Sequence, residues 1–242
     1  MSALLTVALP LRAATKAQAD SLYVTARYEA AIAVYQQLLD PDDPQADLYY
    51  NLGNCYYKQD DVPRAILFYE RALAINPSDA DIRANLALAR TKTTDKQAET
   101  SEMFFVTWWK QFSAALSLPT WAILAVCAFV LLLAGLLLCV FLTDASSRRW
   151  CLRAVAILFA VCLLSNLALL TQYNLLARHD SAIVMASSLT VKSSPDDRST
   201  DLFIVHEGTK LRILDDSMTQ WLEVRLEEGK QGWVPRMAIE II

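Results

Sequence analysis

No residue carries a charge between Lys110 and Asp144, nor between Arg153 and Arg178, and both intervals are dominated by Leu, Ala, Val and Phe. Each exceeds the roughly 20 apolar residues with which a helix crosses a hydrocarbon core of ~30 Å. Lipid offers no partner to backbone N–H and C=O groups, so a segment of this kind crosses as a helix that satisfies its own. Apolar runs this long rarely occur in soluble cores. The sequence therefore predicts a transmembrane hairpin, with spans over residues 118–142 and 154–177 and a turn over residues 143–153.

The turn carries Arg148, Arg149 and Arg153, against Lys110 before the first span and Arg178 after the second. By the positive-inside rule this places the turn in the cytoplasm and both ends of the chain outside. Trp108, Trp109, Trp121, Trp150 and Tyr173 fall where interfacial aromatic belts form. Asn166 lies near the middle of the second span, and between Trp121 and Leu142 the first span offers no polar side chain beyond two cysteines. An amide at that depth needs a hydrogen-bond partner, so Asn166 must bond a backbone carbonyl or another chain.

Residues 1–14 combine an apolar run with Ala13 and Ala14 after it, the pattern of a secretory signal peptide. A basic start is missing and Arg12 stands on the wrong side of the run, so the expected signal is incomplete. From residue 15 to 92 the chain repeats itself. Ala31 and Ala65 are 34 residues apart, as are Tyr35 and Tyr69. Tyr49, Leu52, Gly53, Tyr56, Ala65, Tyr69, Ala72 and Pro77 resemble the signature of the tetratricopeptide repeat, whose period is 34. The first copy is weaker, and a third stops after one helix, which is expected to cap the array. About three such units normally make a stable body, so this one is expected to need support from a neighbouring segment or a partner.

The resemblance implies a concave face lined by the first helix of each repeat. That face would hold Asp47, Tyr50, Asn54 and Tyr57, flanked by Asp20 and Tyr23 on one side and Asp81 and Ala84 on the other. Such a groove is tyrosine-rich and mildly acidic, with Lys16 as its expected single cation and Asn54 expected to point outward. It suits an extended neutral or basic peptide, because tyrosine offers apolar area with a polar tip.

Residues 93–117 read as a polar linker followed by an aromatic helix. Phe105, Trp109, Phe112 and Leu116 share one helical face, which predicts either an interfacial helix or an upward extension of the first span. Residues 181–242 change to short alternating runs separated by turns, predicting five strands and a small barrel. The strings from Gly208 to Asp215, Trp221 to Arg225 and Gly229 to Pro235 resemble the bacterial SH3-like family. Trp221 and Trp233 are either barrel packing residues or the walls of a ligand pocket.

The fold class expected is thus multi-domain: an all-α repeat solenoid, a two-helix transmembrane hairpin and an all-β SH3-like barrel. This order resembles the BatE family, the repeat-containing members of the bacterial aerotolerance operon. Asp20 to Tyr23, Phe104 to Trp109 and the SH3-like string add to the resemblance. It implies an inner-membrane protein with both terminal domains in the periplasm, working beside von Willebrand A-domain membrane proteins and a MoxR-type ATPase.

Chemistry is sparse. Five glycines build no phosphate-cradling loop, and His179 and His206 stand apart in sequence without metal-ligand or triad spacing. A net charge of −4 argues against a nucleic-acid surface. Cys55 is the one thiol in a soluble region, either half-buried packing or a redox sensor. The expectation is a membrane adaptor that binds proteins, without cofactor, metal or catalysis. The alternative is a peptidoglycan-binding tether or envelope sensor acting through the carboxy-terminal domain.

Overall fold

The computed structural model describes residues 14–95, 103–177, 180–226 and 228–242. The apolar amino-terminal run read as an incomplete signal, and His179, lie outside the described residues.

Five helices form the amino-terminal array: α1 (Lys16–Val24), α2 (Tyr28–Leu38), α3 (Ala46–Lys58), α4 (Val62–Ile75) and α5 (Ala80–Arg90). Short polar side chains start three of them. Thr15 accepts from Gln18 N, Asp61 from Arg64 N, and Asp79 from Asp81 N and Ile82 N, each satisfying amides that a helix start leaves open. The 34-residue period extends to the backbone. Ala26 and Asp60, 34 positions apart, both adopt left-handed φ angles of 57° and 64° where the first helix of each repeat turns into the second. Gly53 marks the closest approach within the second repeat, where an added Cβ would lie 2.6 Å from the Tyr69 ring. Around it Leu52, Ala65, Ile66, Leu67, Tyr69 and Leu86 form one buried cluster.

Helix α6 (Phe104–Ser113) follows the linker, and α7 (Leu118–Phe141) and α8 (Ala145–Ala177) make the hairpin. Both hairpin helices are long and apolar enough to cross a membrane, by length and composition. Asp144 accepts from Ser147 N at 2.8 Å and so caps α8 early. The expected turn over residues 143–153 is therefore helical from Ala145 onward, and its arginines ride on the first turns of α8. A disulfide joins Cys139 to Cys151 across the two helices, with Cα atoms 6.0 Å apart. Helix α6 is separate from α7 rather than an extension of it. Trp121 Nε1 donates to Ser113 O at 2.9 Å, and Gln172 Nε2 donates to Leu116 O at 2.8 Å and to Ser113 O, fixing the bend. Trp109 Nε1 reaches Thr171 of α8, while Phe104, Phe105 and Trp108 stay exposed.

The carboxy-terminal region is an antiparallel sheet of seven strands: β1 (Ser181–Val184), β2 (Ser188–Lys192), β3 (Asp201–His206), β4 (Lys210–Asp215), β5 (Trp221–Arg225), β6 (Gln231–Pro235) and β7 (Ile239–Ile241). Its order is β3-β2-β6-β5-β4-β1-β7, with β3 and β7 as free edges. The closed barrel expected from the sequence is thus an open sheet among the described residues, and β1 and β7 add to the five strands expected.

The sheet docks on α4. Ile183 of β1 is fully buried within the helical cluster, and Met185 and Ile242 pack against it. Glu70 of α4, only 6% exposed, pairs with Arg90 of α5 and with Lys210 of β4, the latter at 2.8 Å. Arg71 donates to Ile241 O at 2.6 Å. Asp95, just past α5, accepts from His206 N at 2.7 Å and from Thr209 Oγ1 at 2.9 Å, and its other oxygen meets His206 Nδ1 at 2.9 Å. His206, solitary in sequence, is thus a clasp residue in space. Gly208 lets the two bodies close. Its φ is 80°, and a Cβ there would come within 2.7 Å of Thr93 Cγ2.

Candidate protein-binding groove

Covering α4 with the sheet leaves the first helices of successive repeats, α1, α3 and α5, to form the other face of the array. Contacts between these helices bring them side by side. Lys16 of α1 pairs with Asp47 of α3, and Asn85 of α5 donates to Tyr50 OH at 2.9 Å and to Asn54 Oδ1 at 3.0 Å. Tyr50 leans on Tyr69 with ring centres 6.0 Å apart. Tyr23, Tyr50 and Tyr57 are half-buried, packed against the array on one side and accessible on the other, while Asp47 and Asp81 are exposed.

Two expectations need correction here. Asn54 is half-buried rather than pointing outward, because its carbonyl accepts from Tyr69 OH at 2.8 Å as well as from Asn85. Its amide nitrogen has no partner among the described residues, so donation is what it offers a ligand. Lys16 is also not the only cation. Lys92 lies 4.5 Å over the Tyr57 ring and bonds Asp60 at 2.6 Å. With Asp47 and Asp60 each answered by a lysine, the face is acidic mainly at Asp81 and at Asp20, whose hydrogen bond comes from the neutral Tyr35 hydroxyl.

Asn85 and Lys92 escaped the sequence reading. Asn85 had a usable signal, since it sits one helical turn beyond Asp81 on the same face. Lys92 had none, because it lies past the end of α5. The internal symmetry is chemical as well as geometric: Tyr35 OH donates to Asp20 as Tyr69 OH donates to Asn54, in pairs 34 residues apart. Burial raises the pKa of both phenols, so they remain neutral donors at any ordinary pH.

A tetratricopeptide repeat model matches residues 46–79, and a TPR repeat model matches residues 19–60. Residues 19–79 are tetratricopeptide repeats. No curated protein matches the chain closely enough to count as a relative. Tetratricopeptide repeats bind protein partners, and the face built by α1, α3 and α5 is the one that the sheet leaves uncovered.

The other candidates fall elsewhere. Trp221 and Trp233 share one face of β5 and β6, opposite the buried Leu222, Val224 and Val234. They are half-buried there and lie outside the sheet's core, in register with Pro235 and Glu223 respectively. Cys55 is fully buried, and burial pushes its thiol up to about 12, leaving almost no reactive thiolate. A cavity of about 690 Å³ opens where the array meets the sheet, walled by Pro41, Pro44, Tyr49, Leu73, Ile75 and Ile241. Asn166 is exposed on α8, with its amide nitrogen 2.8 Å from Cys162 O.

Proposed function

We propose that this protein is a membrane-anchored, non-catalytic adaptor that captures an extended segment of a partner protein on the α1–α3–α5 face of its repeat array. The observation that carries this reading is the division of the array into two faces. One is occupied in cis by the sheet through Glu70, Arg71 and Ile183, and the other presents Tyr50, Tyr57, the Asn54 amide and Asp81. The resemblance to the BatE family extends the proposal to an inner-membrane complex of aerotolerance or envelope stress. Its partners there would be von Willebrand A-domain membrane proteins and a MoxR-type ATPase system. The SH3-like string supports a binding role for the sheet as well.

Photo-crosslinking in intact membranes tests the groove. A crosslinking residue at Asp81 or Tyr57 should capture a partner polypeptide, one at Arg71 should not, and Tyr50→Ala should abolish capture while helical circular dichroism is kept. Capture only from Trp221 or Trp233 would overturn the groove and move the function to the sheet. Their shared outward face is the observation that favours the second reading, a tether to peptidoglycan.

For orientation two features disagree. Arg148, Arg149 and Arg153 favour a cytoplasmic turn, whereas the Cys139–Cys151 bond at the same end favours an oxidising compartment. We follow the arginines, because charge acts at insertion, before the Cys139–Cys151 bond forms. Alkaline phosphatase fused after Arg178 should then be active and after Ser147 inactive. The reverse pattern would place the turn outside and make the disulfide permanent.

A further inference from the structure

In the membrane reading, on which this inference rests, α8 carries an exposed amide, Asn166, near the middle of its span, whereas its other exposed amide, Asn174, lies at the span's end. Asn166 donates to Cys162 O of its own helix, and its carbonyl oxygen has no partner among the described residues. The face toward α7 is a different one, marked by the buried Ser165 and Ala168. An acceptor left bare in hydrocarbon is costly, because lipid replaces none of the hydrogen bonds water would give it.

The neighbours of Asn166 have a regular spacing. Phe159, Cys162, Asn166, Leu169 and Tyr173 follow one another at steps of three, four, three and four, the spacing of a left-handed helix-pair seam. Phe159 and Tyr173 are each 59% exposed. Cys162, just before Asn166 along the seam, is small, which permits close approach of a second helix beside the amide. Leu169, just after it, takes the d position when Asn166 is set at a, the place leucine fills in two-stranded parallel pairs. An amide is donor and acceptor at once, so it is complementary to itself. A second copy inserts with the same orientation and so presents its Asn166 at the same depth. Two-fold symmetry about the membrane normal then sets each amide against the other's carbonyl. A lone asparagine in such a seam also fixes register.

We propose that a second copy of this chain covers this face, with α8 pairing in parallel with α8 through Asn166. Cys162, a free cysteine on the seam, provides the probe. In native membranes holding the full chain with Cys127→Ser, oxidation by copper phenanthroline should yield a Cys162-linked dimer. Asn166→Leu should lower its yield about threefold or more, the scale of an average hydrogen bond between membrane helices. Leucine is at home in lipid, so this variant keeps the hairpin. With Cys162→Ser, a cysteine placed by Leu164→Cys on the far side of α8 should give no dimer. An unchanged yield in Asn166→Leu, or equal crosslinking from Leu164→Cys, overturns the proposal. Release of the chain by alkaline carbonate would instead overturn the membrane reading, whereas a retained chain that never crosslinks sinks only the pairing.

Discussion

The repeat array and the helical hairpin treat apolar surface in opposite ways. Helix α4 is covered on both sides, and Pro63, Ala65, Ile66, Leu67, Phe68, Tyr69, Glu70 and Ala72 are all buried. In α7 the buried residues are Trp121, Ala125, Ala128, Leu132 and Cys139, a single stripe, with Trp121 covered by α6, while Leu133, Leu137 and Phe141 stay exposed. The array is too short to bury its own faces and uses the sheet as a neighbour in place of a further repeat. The hairpin needs no such neighbour where lipid covers it, and a bare apolar surface of that size marks a membrane or partner contact.

The largest effect should come from breaking the clasp between array and sheet. Glu70→Ala leaves Lys210 and Arg90 facing each other without their shared carboxylate. Removing one member of a buried ionic cluster costs about 3–5 kcal/mol, and the lower end applies here because both cations reach partly into water. Hydrogen exchange on the full chain should show α4 and β1 losing protection together. Leu137→Ala, on the exposed side of α7, should leave protection in its helix nearly unchanged. Acid should act on the same clasp. Burial alone would raise the Glu70 pKa, but the Lys210 and Arg90 charges outweigh it and hold the carboxyl below its ordinary value. Asp95 is likewise lowered on balance, by its bonds from His206 and Thr209, against the upward push of burial. A carboxyl with a depressed folded pKa contributes stability above its unfolded value of about 4, and that contribution disappears as pH falls through the folded one. Protection of α4 and β1 should therefore drop below about pH 4, while the hairpin changes at most in the first turn of α8, where the Asp144 cap is protonated in the same range. Equal loss in both regions would erase the distinction between them.

How much of this was readable in the chain follows the same division. The 34-residue period and the two uncharged runs are local patterns, and the repeats and the two long apolar helices follow from them. Strand β1 was missed because Ala182, Ile183 and Val184 are all buried, Ala182 and Val184 in the sheet and Ile183 in the array, so no alternation shows. The docking of sheet on array depends on pairs such as Glu70 and Lys210, 140 residues apart, which no spacing rule reports. One signal did exist. The run Ile66-Leu67-Phe68-Tyr69 is apolar around a full turn, and a helix apolar on every side is covered on every side. On the α1–α3–α5 face, the first-helix positions of the repeat placed Tyr50 and Asn54. They could not show that Asn54 is held by Tyr69 and Asn85, because that depends on how the helices pack.

The smallest effects compare the two repeats with each other. Tyr35 and Tyr69 are equivalent residues, both nearly fully buried, and each donates its hydroxyl to the helix before it. Their acceptors differ. Asp20 is a carboxylate, and a hydrogen bond to a charged group contributes about 1.5–3 kcal/mol, whereas the neutral Asn54 amide should contribute about 1 kcal/mol. Tyr35→Phe should therefore destabilise the array more than Tyr69→Phe does. Asn54 also keeps the bond from Asn85 when Tyr69 loses its hydroxyl, while no hydrogen bond to Asp20 other than that from Tyr35 is found among the described residues. Thermal unfolding of the two variants side by side measures the difference. The same order should appear locally, with exchange rising in α1 and α2 for Tyr35→Phe and in α3 and α4 for Tyr69→Phe. If the two substitutions cost the same, the charge on Asp20 is already screened by solvent, and the first repeat is held by packing of Ala19, Ala31 and Ile32 rather than by its tyrosine.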